Sequence, residues 1–218
     1  MQKNMEHLVK ELILEPSKNE IYAIITADIV ASRKIPNNEF AQLITSLTNY
    51  LTTLCKQHQG LFKLYRGDSF QMVFKPKTSL FYIALLLRLF FIKCNQDVRL
   101  SMATGNVLIT QDLATATGDA LVRAGEGIDT MKNDRLIFCD KSSACFALNI
   151  KLIDKLLSKL SAKQAQALFI HITEKDLEHA EIAEILGTSR ANITKLLNLA
   201  NYSLINEFLT VSKEQLND

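Results

Sequence analysis

The chain has 218 residues, 48% of them hydrophobic, and 25 Lys+Arg against 23 Asp+Glu give a formal net charge of +2. These values exclude a disordered chain and a polycation, so any contact with nucleic acid must come from a local patch. The four cysteines, Cys55, Cys94, Cys139 and Cys145, form no CxxC pair and no zinc-type spacing with histidine; with no export signal legible, reduced thiols and a cytoplasmic location are expected.

In chain order, Met5, Leu8, Val9, Leu12 and Ile13 recur at helical spacing until Pro16, so residues 1–19 are expected to form a short docking helix. "IYAIITADIV", residues 21–30, is a continuous β-branched run and predicts a strand buried on both faces. Residues 38–58 place Phe40, Leu43, Ile44, Leu47, Leu51 and Leu54 along one helix face, with Asn37 or Asn38 available to cap its start. "LFKLYRGDSFQMVF", residues 61–74, gives strand, tip and strand. The apolar run within 77–93 is too short for the roughly 20 residues of a membrane span and is broken by Arg88, so a buried helix is expected and no membrane partner. A strand over 98–109, a helix over 118–133 and a strand over 135–140 complete the series. The order β–α–β–β–α–β, followed by a further helix and strand, is the ferredoxin-like plan: an α+β domain over 20–145, with an antiparallel sheet and helices on one face. Beyond it, 146–218 reads as a small all-α domain.

On this plan Asp28 ends the first strand and Asp68 sits at the hairpin tip, and the topology brings the two to one sheet edge. Two carboxylates ~4 Å apart would repel by roughly 4 kcal/mol at an effective dielectric near 20. Mg²⁺ suits such a pair, because it accepts few protein oxygens and fills its remaining positions with water and phosphate. Either aspartate alone is also ordinary turn chemistry. The cations and small polar groups around them, Ser32, Arg33, Lys34, Arg66 and Gly67, together with Arg123 further along, are candidate phosphate contacts.

Three stretches, "ITADIVASRKI", "LYRGDSFQMVF" and "GDALVRAGEGI", resemble the signatures of SatD-family proteins and, more distantly, those of class III nucleotidyl cyclases and GGDEF diguanylate cyclases. The resemblance implies a palm-like sheet with one metal-binding acid after the first strand and another in the hairpin. The sequence departs from the pattern at Arg66, where the hairpin motif has glycine, and at Ser69, where it has glutamate. Val122 and Glu126 stand where cyclases carry the Asn and Arg that face the phosphates, and a glutamate there opposes developing phosphate charge. No catalytic residue is therefore assigned. The expected ligand is a nucleotide or phosphorylated small molecule, with Mg²⁺ as its cofactor.

In the tail, "HAEIAEILGTSRANITKLLNLA" reads as helix, tight turn at Gly187, and a second helix capped by Ser189, a helix-turn-helix. Thr188, Ser189, Arg190, Asn192, Thr194, Lys195 and Asn198 are its candidate DNA contacts, and residues 187–199 hold no acid. The tail, including the preceding "LSAKQ", resembles the DNA-binding region of sigma factors and related response regulators. The whole chain is thus expected to be a DNA-binding transcription regulator, acting as a homodimer on double-stranded DNA and controlled by a ligand in the front domain. A divergent metal-dependent nucleotidyltransferase is the alternative, and a purely structural αα-hairpin the plainer account of the tail.

Overall fold

A computed structural model describes residues 21–75, 80–109 and 112–216; the helix expected over 1–19 lies outside them. The chain divides into two compact units. One comprises the described residues to Leu80 together with Arg99–Ser142; the other comprises Phe81–Val98 and Ser143 onward.

The first unit is built on β1 (Ile21–Ile29), α1 (Asn37–Gln57), β2 (Gly60–Tyr65), β3 (Ser69–Phe74), β4 (Val98–Asn106), α3 (Asp119–Thr130) and β5 (Leu136–Phe138). The sheet order is β2-β3-β1-β4-β5. β1 and β2 each pair antiparallel with β3, whereas β5 pairs parallel with β4. The sheet is therefore mixed at one edge and not purely antiparallel: α3 carries the chain back before β5, and a crossover helix between neighbouring strands makes them parallel. α1 begins at Asn37 with Pro36 at its N-cap and no side-chain cap, so neither asparagine plays the expected capping role. Proline supplies the extended entry, and the Phe40 N–H reaches the Pro36 carbonyl at 2.8 Å.

Strand register sorts the side chains into rows. Ile24, Val73 and Leu61 lie side by side across β1, β3 and β2, and together with Tyr22 they form a core with Ala120 and Ala124 of α3. The small residues of α3 allow close approach: a Cβ on Gly127 would lie 2.1 Å from the Ser101 Oγ and 2.6 Å from the Cys139 Sγ. The opposite face of the same strands carries Ala23, Ile25, Ala27, Phe70, Met72 and Phe74, all buried. Alternation of this kind fixes register, because a slip by one residue would exchange the two faces.

The second unit contains α2 (Leu80–Lys93), α4 (Ala144–Leu157), α5 (Ala162–Thr173), α6 (His179–Ile185), α7 (Arg190–Leu199) and α8 (Tyr202–Gln215). The apolar helix α2 thus joins the C-terminal helices although β4 and β5 follow it in sequence. Phe81 meets Phe146 and Phe208 edge-on, at 5.4 and 5.6 Å between ring centroids. Arg88, the residue that interrupts the apolar run, is fully buried and faces Asp154 at 3.3 Å, Asp97 at 3.4 Å and the Ser158 hydroxyl at 3.2 Å. No helix among the described residues is long and apolar enough to cross a membrane.

Removing one partner of a buried ion pair strands the other charge. Asp154→Ala is expected to cost about 3–5 kcal/mol in chemical denaturation, whereas Arg88→Met combined with Asp154→Leu should recover most of that loss.

Candidate functional site

The row beyond the apolar one is polar. Thr26, Gln71 and Lys63 stand side by side, and the next row is Asp28, Ser69 and Tyr65. All six are half-buried, and the Gln71 amide donates to the Thr26 hydroxyl at 3.1 Å. The sheet face therefore changes from sealed core to accessible shelf within two residues of strand, about 7 Å, and the shelf ends in acid.

Three left-handed residues build that end. Ala31 (φ 53°) turns the chain out of β1 into a short 3-10 turn, Ser32–Lys34. Arg66 (φ 50°) and Gly67 (φ 88°) turn it between β2 and β3. Non-glycine residues in this conformation cost roughly 1–2 kcal/mol each, and such strain gathers at functional sites. The turns bring the two aspartates together. The Ile29 N–H donates to the Asp68 carbonyl at 2.9 Å, which ties the end of β1 to the hairpin. The Ser32 hydroxyl donates to Asp68 Oδ2 at 2.6 Å. Arg99, from the start of β4, donates to and ion-pairs with Asp28 Oδ2. With each Oδ2 held from one side, both Oδ1 atoms approach the Ser69 hydroxyl, Asp28 at 3.2 Å and Asp68 at 3.5 Å.

A serine hydroxyl has one proton to donate. It satisfies one carboxylate at a time, and Arg99 offsets only one of the two negative charges. The two Oδ1 atoms therefore share one hydroxyl proton and carry negative charge in excess. Among the described residues no group of three or more His, Cys, Asp or Glu side chains gathers in a metal-holding arrangement. Two carboxylates alone fit a hard ion that draws its other ligands from water and phosphate, so the residues present fit Mg²⁺.

Of the phosphate candidates, Ser32 is at the site itself. Arg33 and Lys34 are exposed on the turn after Ala31, and Arg66 and Gly67 are exposed at the hairpin tip. Arg123 is not brought to this edge. Its guanidinium donates to Asp140 Oδ1 at 3.0 Å and to the Thr104 carbonyl at 2.7 Å, and it pairs with Asp119. Asp140 in turn accepts from the Thr104 N–H at 2.6 Å. Thr104 lies five residues along β4 from Arg99, about 17 Å of strand, so Arg123 clamps α3 to the far end of the sheet. Asp119 and Asp140 raise its already high pKa. Val122 and Glu126, on the same helix, are exposed.

Arg99 is the site residue that sequence reasoning missed. Only its place as the second residue of a strand bordering β1 could have pointed to it.

In the helical unit, α6 ends in a Schellman turn: the Gly187 N–H donates to the Glu184 carbonyl at 3.2 Å and the Thr188 N–H to that of Ala183 at 2.9 Å, with Gly187 at φ 61°. Ser189 then caps α7 by accepting from the Asn192 N–H at 3.2 Å. Ile182 and Ala183 of α6 and Ile193 and Leu197 of α7 are buried, which is the helix-turn-helix expected. At 3.6 residues per turn, Ala191, Lys195 and Asn198 point away from Ile193 and Leu197. Thr188 and Ser189 are exposed and Thr194 half-buried; Thr188 accepts from the Asn192 amide at 2.9 Å, and the Thr194 hydroxyl lies 2.9 Å from His179 Nδ1. Arg190, Asn192, Lys195 and Asn198 are the exposed polar residues of α7.

A family model described as Sigma-70, region 4, matches residues 150–200, the part containing this helix-turn-helix. Two solved structures, each of a bacterial light-regulated adenylyl cyclase, are similar to the chain. One is 19% identical with a TM-score of 0.44, covering 55% of this chain and 75% of that one. The other is 18% identical with a TM-score of 0.43, covering 59% of this chain and 48% of that one, so this chain spans about half its length. No curated protein matches the chain.

His171 of α5 sits between His179 and Tyr202, at centroid distances of 5.8 and 5.2 Å, and its buried Nδ1 has no hydrogen-bond partner among the described residues. Burial, and then His179, lower its pKa below the ordinary 6.5. A depressed histidine pKa gives stability that is complete above the unfolded value and lost as pH falls through 6.5 toward the folded one. Acidification from about pH 7.5 to about 5.5 should therefore lower the unfolding temperature of the helical unit, and His171→Phe should flatten that slope.

Proposed function

We propose that this protein is a transcription regulator whose sheet unit binds a nucleotide or related phosphorylated molecule with Mg²⁺ and whose helix-turn-helix binds double-stranded DNA. The convergence of Asp28 Oδ1 and Asp68 Oδ1 on one hydroxyl carries the ligand half of this reading. Asp28 and Asp68 would hold the ion, which when bound would neutralise phosphate oxygens. Arg99 and Ser32 keep the two carboxylates aimed. Arg33, Lys34 and Arg66 supply positive charge on the turns around them, and the Thr26–Gln71–Lys63 row offers donors and an acceptor to the rest of the ligand. The match of all three SatD-type stretches to β1, the β2–β3 hairpin and α3 supports placing the protein with that family.

The sigma-70 region 4 match and the acid-free α7 carry the DNA half. Arg190 and Lys195 give charge for phosphates, while Asn192 and Asn198 give amides for base edges. A single module of this size covers little DNA, and a homodimer would present two at fixed spacing. A nucleotidyltransferase activity is the weaker reading, since the cyclase-type phosphate positions hold Val122 and Glu126 and Arg123 is occupied with Asp119 and Asp140.

ATP or GTP with Mg²⁺ should raise the melting temperature of the sheet unit, and Asp28→Asn with Asp68→Asn should abolish the rise, with no pyrophosphate released by either form. An unchanged melting temperature across common nucleotides would remove the ligand half. Arg190→Ala with Lys195→Ala should weaken binding to duplex DNA and reduce the dependence of log affinity on log salt by up to ~2 units; equal slopes for mutant and wild type would remove the role assigned to α7.

A further inference from the structure

Four helices of the second unit meet around three rings. His171 of α5 lies between His179, the first residue of α6, and Tyr202, the first residue of α8. The buried Nδ1 of His171 has no hydrogen-bond partner among the described residues. The His179 and Tyr202 rings also meet each other edge-on, at 6.5 Å between centroids. His179 carries the cluster on to the fourth helix, because its Nδ1 is 2.9 Å from the Thr194 hydroxyl of α7. That hydroxyl donates to the Arg190 carbonyl, one turn earlier, at 3.1 Å. With its single proton given to Arg190, it accepts from His179. The His179 ring thus ties the helix assigned to DNA to the helices behind it.

The groups around these rings decide what a further proton does. α6 presents His179 to His171, α8 presents Tyr202, and α7 presents the neutral Thr194 hydroxyl to His179. α2 reaches α5 at other residues, with Tyr82 at the Ile172 carbonyl and Lys93 over the Phe169 ring. Glu174 and Glu178, the acids nearest the two histidines in sequence, are exposed. The charge that acts on His171 is that of His179, and it opposes a proton there, as burial does. A proton on His171 therefore puts charge on a half-buried ring that already faces a second imidazole, and the packing around it is weakened.

We propose that protonation of the His171–His179 pair loosens α7 from the helices behind it, so that the unit holds DNA while the pair is neutral and releases it on acidification. The sign is diagnostic. Acid adds positive charge, and a histidine turned toward phosphate binds DNA more tightly when protonated. Here both histidines are half-buried among the helices, and the proton acts on packing. The effect on DNA rests on the reading of α7 proposed above; the loosening of α7 does not.

The test takes the full chain at about pH 7.5 and about pH 5.5, on either side of the ordinary histidine range. Two quantities are read: affinity for duplex DNA at constant salt, and hydrogen exchange of the α7 amides, corrected for the intrinsic effect of pH. The wild type is expected to lose affinity by up to ~10-fold per pH unit for each proton coupled to release, and to lose α7 protection over the same interval. His171→Phe keeps a ring in place and removes the proton site, so it should hold both affinity and protection. His171→Gln, polar but unable to take up a proton in this range, should do the same. Wild-type α7 protection that is indifferent to acid, or an equal loss in both variants, overturns the proposal. So does wild-type affinity that rises on acidification. Acid loss of α7 protection in a chain that binds no duplex at either pH supports the coupling and removes the DNA reading of α7, so the two failures are told apart.

Discussion

The first unit turns on one shortage: two carboxylate oxygens face a single hydroxyl proton. Antiparallel pairing of β1 with β3 sets Asp28 opposite Ser69, and the hairpin makes Asp68 the residue just before it. Once those strands pair, the acids cannot avoid each other. Arg99 offsets one charge and Ser32 holds the far oxygen of the other carboxylate. Two carboxylate oxygens and one proton leave negative charge in excess at this edge, between the left-handed turns at Ala31 and Arg66.

Much of this was legible in the sequence, because topology does the gathering. A β-branched run ending in Asp28 and a turn-rich Arg-Gly-Asp between two short strands are local signals, and the ferredoxin-like order places them together. The partners were less legible. Arg99 lies 71 residues from Asp28, and nothing around it marks it as anything but a strand residue. Arg123 shows the reverse. Its charge made it a candidate phosphate contact, yet Asp119 and Asp140 pair with its guanidinium, and both acids look ordinary in sequence. The parallel β5 was hidden for a related reason: its three residues carry no alternation that distinguishes direction.

The helical unit teaches a similar lesson about long-range partners. Arg88 reads as a blemish in an apolar run and is in fact the buried counter-charge of Asp154, 66 residues later. This contact helps to explain why α2 joins the C-terminal helices. The helix-turn-helix itself was fully legible, since Gly187 and Ser189 act within five residues of their partners. Its side-chain contacts were not: the Thr194 hydroxyl meets the His179 ring, 15 residues earlier, and nothing local in the sequence marks that pairing.

The most direct test of the account is the anomalous scattering of Mn²⁺, standing in for Mg²⁺, in crystals of the full chain grown with a non-hydrolysable ATP analogue. The account predicts one strong peak bound by Asp28 Oδ1 and Asp68 Oδ1, with Arg99 still on Asp28 and the analogue's phosphates completing the coordination. Analogue density elsewhere, with no peak between the two carboxylates, would contradict it.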